Sequence, residues 1–368
     1  MRLVLFCHSL VSDWNHGNAH FLRGVISDLI ARGHDVRVFE PREAWSAQNL
    51  LAYAGPAALD AYRSVYPDLH SYRYDPATFD LERAVDGADV VLVHEWNSHD
   101  LVARLGAIRG AGGRFTLLFH DTHHRSVTEP EAMAAYELDR YDGVLAFGEV
   151  IRQRYLALGW ARRAWTWHEA ADTGVFHPMP APSEGDLVWI GNWGDDERSA
   201  ELRAFLIEPV RALGLRARVH GVRYPPDARN ALAAAGIEYG GWLPNFAAPA
   251  VFARHRVTVH VPRRPYVEAL PGIPTIRVFE ALACGIPLVS CWWDDCERLF
   301  HPGSDLLMVN TPRGMERALR DVIHDPALAQ ALAENGLNTI LARHTCAHRV
   351  DQLFNIVAEV RGAELVLR

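Results

Sequence analysis

The sequence predicts an α/β fold of two doubly wound parallel-sheet domains. Three observations predict it. Short, continuously apolar, β-rich runs alternate with helical patterns along the whole chain, as in βαβ units whose strands are buried on both faces. The alternation pauses in a stretch rich in Pro, Ser and Gly at residues 176–186 and then restarts. Finally, 368 residues are too many for one ordinary core but suit two.

In the first half, strands are expected at 3–7, 36–39, 90–93, 115–119 and 144–147. Helices are expected over 19–31, 101–107 and 151–158. Residues 45–74 are rich in Ala, Tyr and Leu without clear strand signals, and are read as helices. The second series of strands is expected at 187–190, 217–220, 257–261, 287–290 and 306–309. The tail from 313 to 361 is helical by pattern, with a break at Asp325-Pro326. These readings give a Rossmann-like domain over 1–175, a second over 186–345, and a final helix over 346–368 that returns to the first. Ligands of such sheets sit beyond the carboxyl ends of the strands. The residues that follow each strand are therefore the candidates, and the gap between the domains is the expected site.

Composition narrows the chemistry. The formal net charge is -8, which argues against a nucleic-acid binder that relies on a basic face. All 37 basic residues are arginine. The lack of lysine excludes Schiff-base lysine chemistry and a Walker-type phosphate loop, leaving arginine, helix N-termini and backbone amides to bind anions. Five cysteines (Cys7, Cys284, Cys291, Cys296 and Cys346) are scattered without a CxxC pair and read as reduced thiols. The apolar run after Met1-Arg2 is short for a signal peptide, and no run approaches a membrane span. A cytoplasmic protein with at most peripheral membrane contact is expected.

Three loops carry candidate chemistry in the first half. The first strand leads into a polar loop that contains His16 and ends in Gly17-Asn18 before a helix. Its amides could receive an anion or a sugar hydroxyl; equally, Asn18 could simply cap the helix. No GxGxxG is present, which weakens a nicotinamide or flavin reading. The strand at 90–93 delivers His94-Glu95-Trp96-Asn97, and the strand at 115–119 delivers His120-Asp121 followed by His123 and His124. Histidines with neighbouring carboxylates at strand ends suit acid–base work or hydroxyl binding. His120 with Asp121 is the stronger pair, whereas His123 and His124 read as solvated. Neighbours in one loop seldom make a full set of metal ligands, and no metal is expected.

The most informative segment runs from Pro271 to Ser290. It reads as a Gly/Pro turn, a short helix with Thr275 at its N-cap, a stop at Gly285 and a buried strand. The helix start suits a diphosphate, and Arg277 adds a forked cation. Glu280 sits among Val278, Phe279, Ala281, Leu282 and Ala283 and needs a partner. A ribose diol would serve; so would Arg277 at i, i+3.

The run from Phe279 to Val289 resembles the "EAxACGxPV" signature of group-1, family-4-like glycosyltransferases of the GT-B fold. The resemblance implies that Glu280 holds the ribose of a nucleotide-sugar donor, with Gly272, Ile273, Pro274, Thr275 and Arg277 near the diphosphate. Ile190-Gly191-Asn192-Trp193 is similar to the family's "VGR" turn, with Arg198 and Arg263 as further phosphate ligands. Residues 172–178 are similar to its "GVDxxxFxP" linker, and His120-Asp121 to its "xHD" element. The family's usual second glutamate, eight positions before the first, is Gly272 here, and the "VGR" arginine is Asn192. The form Gly272…Arg277-Val278-Phe279-Glu280 resembles instead the spore-coat-maturation (CgeB-like) branch.

The activity implied is metal-independent transfer of a sugar from a nucleotide-diphosphate sugar, a UDP-sugar before a GDP- or dTDP-sugar, without a cofactor. The acceptor could be a glycan, a lipid-linked or a small molecule, handled by Gly17, Asn18, His94 and Trp96. Retention is expected ahead of inversion; in an inverting reaction His120, Asp121 or His16 would be the base. A nucleotide-sugar epimerase or hydrolase, and a silent GT-B binding subunit, are the alternatives.

Overall fold

The computed structural model describes residues 1–366 and divides into two compact units, one of residues 1–169 with the C-terminal segment from 346 and one of residues 170–345. In the first unit the strands are β1 (Arg2–Phe6), β2 (Asp35–Pro41), β3 (Ser71–Tyr74), β4 (Val90–His94), β5 (Thr116–Asp121), β6 (Gly143–Ala146) and β7 (Ala164–Thr166). They form one sheet in the order β3-β2-β1-β4-β5-β6-β7, with every neighbouring pair parallel. The second unit contains β8 (Gly185–Ile190), β9 (Ala217–His220), β10 (Glu238–Tyr239), β11 (His255–His260), β12 (Leu288–Cys291) and β13 (Leu307–Val309). Their order is β10-β9-β8-β11-β12-β13, again parallel throughout.

The strand order reverses direction at β1 in the first sheet and at β8 in the second, so each unit has its own switch point. The central strands are the apolar ones: β4 is buried along its whole length, as is β5. All the expected strands form, within two or three residues of their predicted ends. Three further strands lie at or next to the sheet edges. β3 (SYRY), β7 (AWT) and β10 (EY) are short and partly exposed, so they carry no apolar run to announce them. Residues 45–74 accordingly give two helices, Trp45–Ala54 and Ala57–Val65, and then β3 rather than helices alone.

The break at Asp325-Pro326 is a helix boundary: Asp325 accepts from the amides of Ala327 and Leu328, both at 3.0 Å, and Pro326 occupies the first helical position. The last helix, Cys346–Val366, packs within the first unit against the helix Ala19–Ala31. There Arg32 pairs with Asp351 at 2.5 Å, and the Trp167 indole donates to the Arg349 carbonyl at 2.8 Å. Among the described residues, no helix is long and apolar enough to cross a membrane.

Candidate functional site

In the second unit, the candidate residues gather at the carboxyl ends of β8, β11 and β12 and at the start of the helix Ile276–Ala283. The turn before that helix contains Gly272, at φ +87°, and the buried Ile273 and Pro274. Thr275 is at the N-cap position, yet its hydroxyl makes no cap. It meets Nε2 of His260 at 3.0 Å, while Nδ1 of the same ring meets the Ser290 hydroxyl at 2.8 Å. Burial, aided by the Arg198 and Arg277 charges, lowers the pKa of His260 to about 3, so the ring is neutral. The helix start thus keeps its amides clear of a side-chain cap, where an anion is favoured.

Three guanidinium groups surround this point. Arg198 donates to the carbonyls of Val261 at 3.1 Å and Asn192 at 2.5 Å, and lies 5.2 Å over the Trp189 ring. Burial and then the nearby Arg263 and Arg277 cations push its pKa down from the ordinary arginine value. Its acceptors are backbone carbonyls, and an incoming anion would further stabilise its charge. Arg263 pairs with Glu197 at 2.6 Å.

Arg277 is ion-paired to Glu280, whose other oxygen accepts from the Asn245 amide at 2.6 Å. Glu280 is fully buried. The pairing at i, i+3, one of the two partners the sequence allowed, is what forms, because a carboxylate inside an apolar helix face must be neutralised. As placed, Glu280 meets no solvent and Arg277 is not a free phosphate cation. Asn192 also differs from expectation: its side-chain oxygen accepts from the Val222 amide at 2.9 Å, tying two loops together. Only glycine fits at 191, since a Cβ there would lie 2.6 Å from the Trp189 ring.

In the first unit, histidines line the ends of β1, β4 and β5. Ring centroids step from His8 to His16 (5.4 Å), His16 to His94 (6.0 Å) and His94 to His120 (5.4 Å). His120 and Asp121 are the last residues of β5 rather than a loop beyond it, and both are fully buried. The His120 ring packs on Trp167 at 4.8 Å and Phe21 at 5.8 Å, and neither nitrogen has a hydrogen-bond partner among the described residues. Burial lowers its pKa to about 3, which makes it a feeble proton acceptor and a better hydrogen-bonding group. Asp121 is raised to about 6 by burial, and burial with the Asp121 charge raises Glu95 as well.

Asn18 stands at the N-cap position but caps nothing. Its amide donates to Glu169 at 2.9 Å and its oxygen meets His94 Nε2 at 3.1 Å. Gly17 is exposed beside it. The loop that carries His16 is fixed by two buried charges that sequence reasoning missed. Arg23 donates to the carbonyls of Leu10 (2.9 Å) and Val11 (3.2 Å) and pairs with Asp13 (2.9 Å), while Glu40 accepts from the amides of Leu10 and Val11. Trp96 lies under the Arg125 guanidinium, 4.7 Å away. His124, expected to be solvated, is buried with Nδ1 at 3.1 Å from the Thr128 hydroxyl. His260 ends a strand the sequence predicted, so the rule of inspecting strand ends could have found it; Asn245, which opens the short 3-10 helix Asn245–Ala247, gave no signal. Among the described residues, no group of three His, Cys, Asp or Glu side chains is arranged to hold a metal ion.

Residues 198–355 match a family model described as glycosyl transferase-like. No curated protein matches the chain. Solved structures do. Sucrose-phosphate synthase from Thermosynechococcus elongatus has a TM-score of 0.67 at 14% identity, covering 99% of this chain and 100% of that one. HepE from Anabaena in complex with UDP has a TM-score of 0.68 at 12% identity over 98% and 100% of the two chains. A glycosyltransferase from Rickettsia africae has a TM-score of 0.64 at 11% identity over 98% of each. The two parallel-sheet units are those of the GT-B glycosyltransferase fold.

Proposed function

We propose that this chain is a glycosyltransferase that takes its sugar from a nucleotide-diphosphate donor, a UDP-sugar first. The observation that carries the reading is the convergence of Arg198, Arg263 and Arg277 on an uncapped helix start. Departure of a nucleoside diphosphate develops charge on phosphate oxygens, and fixed guanidinium groups and amides aimed there lower the barrier. That charge can be met without a metal. HepE, of the same fold, has been solved in complex with UDP-glucose, which supports a uridine donor here.

Within this reading Gly191, Gly272, Ile273, Pro274 and Thr275 form the backbone cradle, and Asn192 holds the loop that presents Arg198. Arg277 exchanges Glu280 for the diphosphate, and the carboxylate so released accepts the ribose hydroxyls. On the acceptor side, Gly17, Asn18, His94 and Trp96 bind hydroxyls. The neutral His120 hydrogen-bonds rather than takes a proton, which favours retention over inversion through His120. Asp121 and His16, at the same strand ends, are the remaining candidates for a base should the reaction invert. Gly272 supports placing the chain near the spore-coat-maturation branch, and a cytoplasmic location goes with it.

The test is incubation with a panel of UDP-, GDP- and dTDP-sugars, following nucleotide release with and without candidate acceptors. Release that rises with an acceptor is expected. Release that needs none would assign an epimerase or hydrolase, and binding without release a silent subunit.

A further inference from the structure

The loop that follows β1 carries His8, Trp14 and His16, and it meets the helix Trp45–Ala54 that follows β2. Two serines fasten loop and helix together. The Ser12 hydroxyl donates to the Ser46 carbonyl at 2.9 Å, the Ser46 hydroxyl to the Trp14 carbonyl at 2.8 Å, and the Trp14 amide to Ser12 at 3.2 Å. Trp14 and Trp45 are thereby held edge to face, with ring centroids 6.1 Å apart and planes at 79°. The buried His8 ring stacks on Trp45 at 4.8 Å and 29°. With an imidazole against one face, 36% of Trp45 is still exposed, at the first position of its helix. An indole so braced and still open, beside the strand at which the order of the first sheet reverses, is placed to meet a ligand rather than to fill a core.

The polar atoms around the indole fix the class of ligand. Trp14 Nε1, His8 Nε2 and His16 Nε2 are buried and have no hydrogen-bond partner among the described residues. Buried donors are nearly always satisfied in a folded chain, so three such atoms in one loop call for a partner. An indole N–H only donates. Burial lowers the pKa of His8 to about 4 and that of His16 as well, so each neutral imidazole offers one donor and one acceptor. The cation under the loop, Arg23, is committed to Asp13 and to the carbonyls of Leu10 and Val11. This set suits hydroxyls, which both donate and accept, and it offers no counter-charge to a phosphate or carboxylate. An aromatic surface beside hydroxyl-binding groups matches a pyranose, whose ring C–H groups form an apolar face rimmed by hydroxyls.

We propose that Trp45, backed by His8 and flanked by Trp14, is a platform for an uncharged sugar ring, so that the acceptor is a neutral carbohydrate. The inference rests on the transferase reading only in calling that sugar the acceptor. The experiment screens full-length wild type, Trp45→Ala and Trp14→Phe on an array of neutral and acidic oligosaccharides. Calorimetric titration with the strongest wild-type glycan and with UDP, GDP and dTDP follows. Wild type is expected to bind neutral glycans in preference to acidic ones. Trp45→Ala should weaken the strongest of them about tenfold, and both variants should bind the nucleoside diphosphate as wild type does. Trp14→Phe keeps a ring and removes one unpartnered N–H, so it holds the test open where the alanine variant does not fold; about a threefold loss is expected. Wild type that binds no neutral glycan, or prefers acidic ones, overturns the proposal. Unchanged glycan affinity in either folded variant does so too, as does an equal loss for glycan and nucleoside diphosphate. Glycan binding that depends on Trp45 in a protein that binds no nucleoside diphosphate upholds the platform and overturns the transferase reading alone.

Discussion

Arg277 and Glu280 stand one helical turn apart, and the guanidinium of the first is ion-paired to the fully buried carboxylate of the second. Removing the carboxylate strands a largely buried cation and the Asn245 amide. Glu280→Ala should therefore destabilise the fold by about 3 kcal/mol, whereas Glu280→Gln, which can still accept from Asn245, should cost less. Urea unfolding midpoints check this. An alanine variant of wild-type stability that loses donor affinity alone would mean that the carboxylate is already available to a diol.

Acidification should destabilise the first unit. His8, His16, His94 and His120 are held below their ordinary pKa by burial, to about 4 for His8 and about 3 for His120. Unfolding lets each take up a proton, so the stability they contribute is present above about pH 6.5 and is lost as pH falls toward 3–4. Asp121 and Glu95 act oppositely, being raised: their contribution is full below about pH 4 and fades for Asp121 as pH rises through about 6. Four groups outweigh two between pH 6.5 and 4. Thermal midpoints should fall across that window, and His120→Asn should flatten the slope. A midpoint that rises on acidification would contradict this balance.

His120→Asn should lower kcat about tenfold or more and leave nucleoside diphosphate affinity intact, since its ring lies in the first unit and the arginines in the second. Stopped turnover assays beside calorimetry separate the two effects. Normal turnover would remove His120 from the mechanism.

Much of the fold was legible. Central strands such as β1, β4 and β8 are unbroken apolar runs, and the helix at Ala19–Ala31 and the Asp325-Pro326 boundary carry strong local signals. β3, β7 and β10 were not, because a short edge strand needs little apolar surface. At the site, sequence placed Arg198, Arg277 and Thr275 near one another but could not choose between two partners for Glu280. That choice depends on Asn245, thirty-five residues away in the chain. Likewise, Asn18 and Thr275 have the right identity and position for caps, yet His94 and His260 draw their side chains elsewhere.

In the proposed transferase, Arg198, Arg263 and Arg277 bind the diphosphate of the donor. Calorimetric titration of wild type and Arg198→Met with UDP, GDP and dTDP tests it most directly, with circular dichroism confirming that the variant is folded. Wild type should bind at least one of them, and the variant should bind it at least about tenfold more weakly, the gap narrowing as salt rises. Equal affinity in the two proteins, or no binding to wild type, would contradict the account.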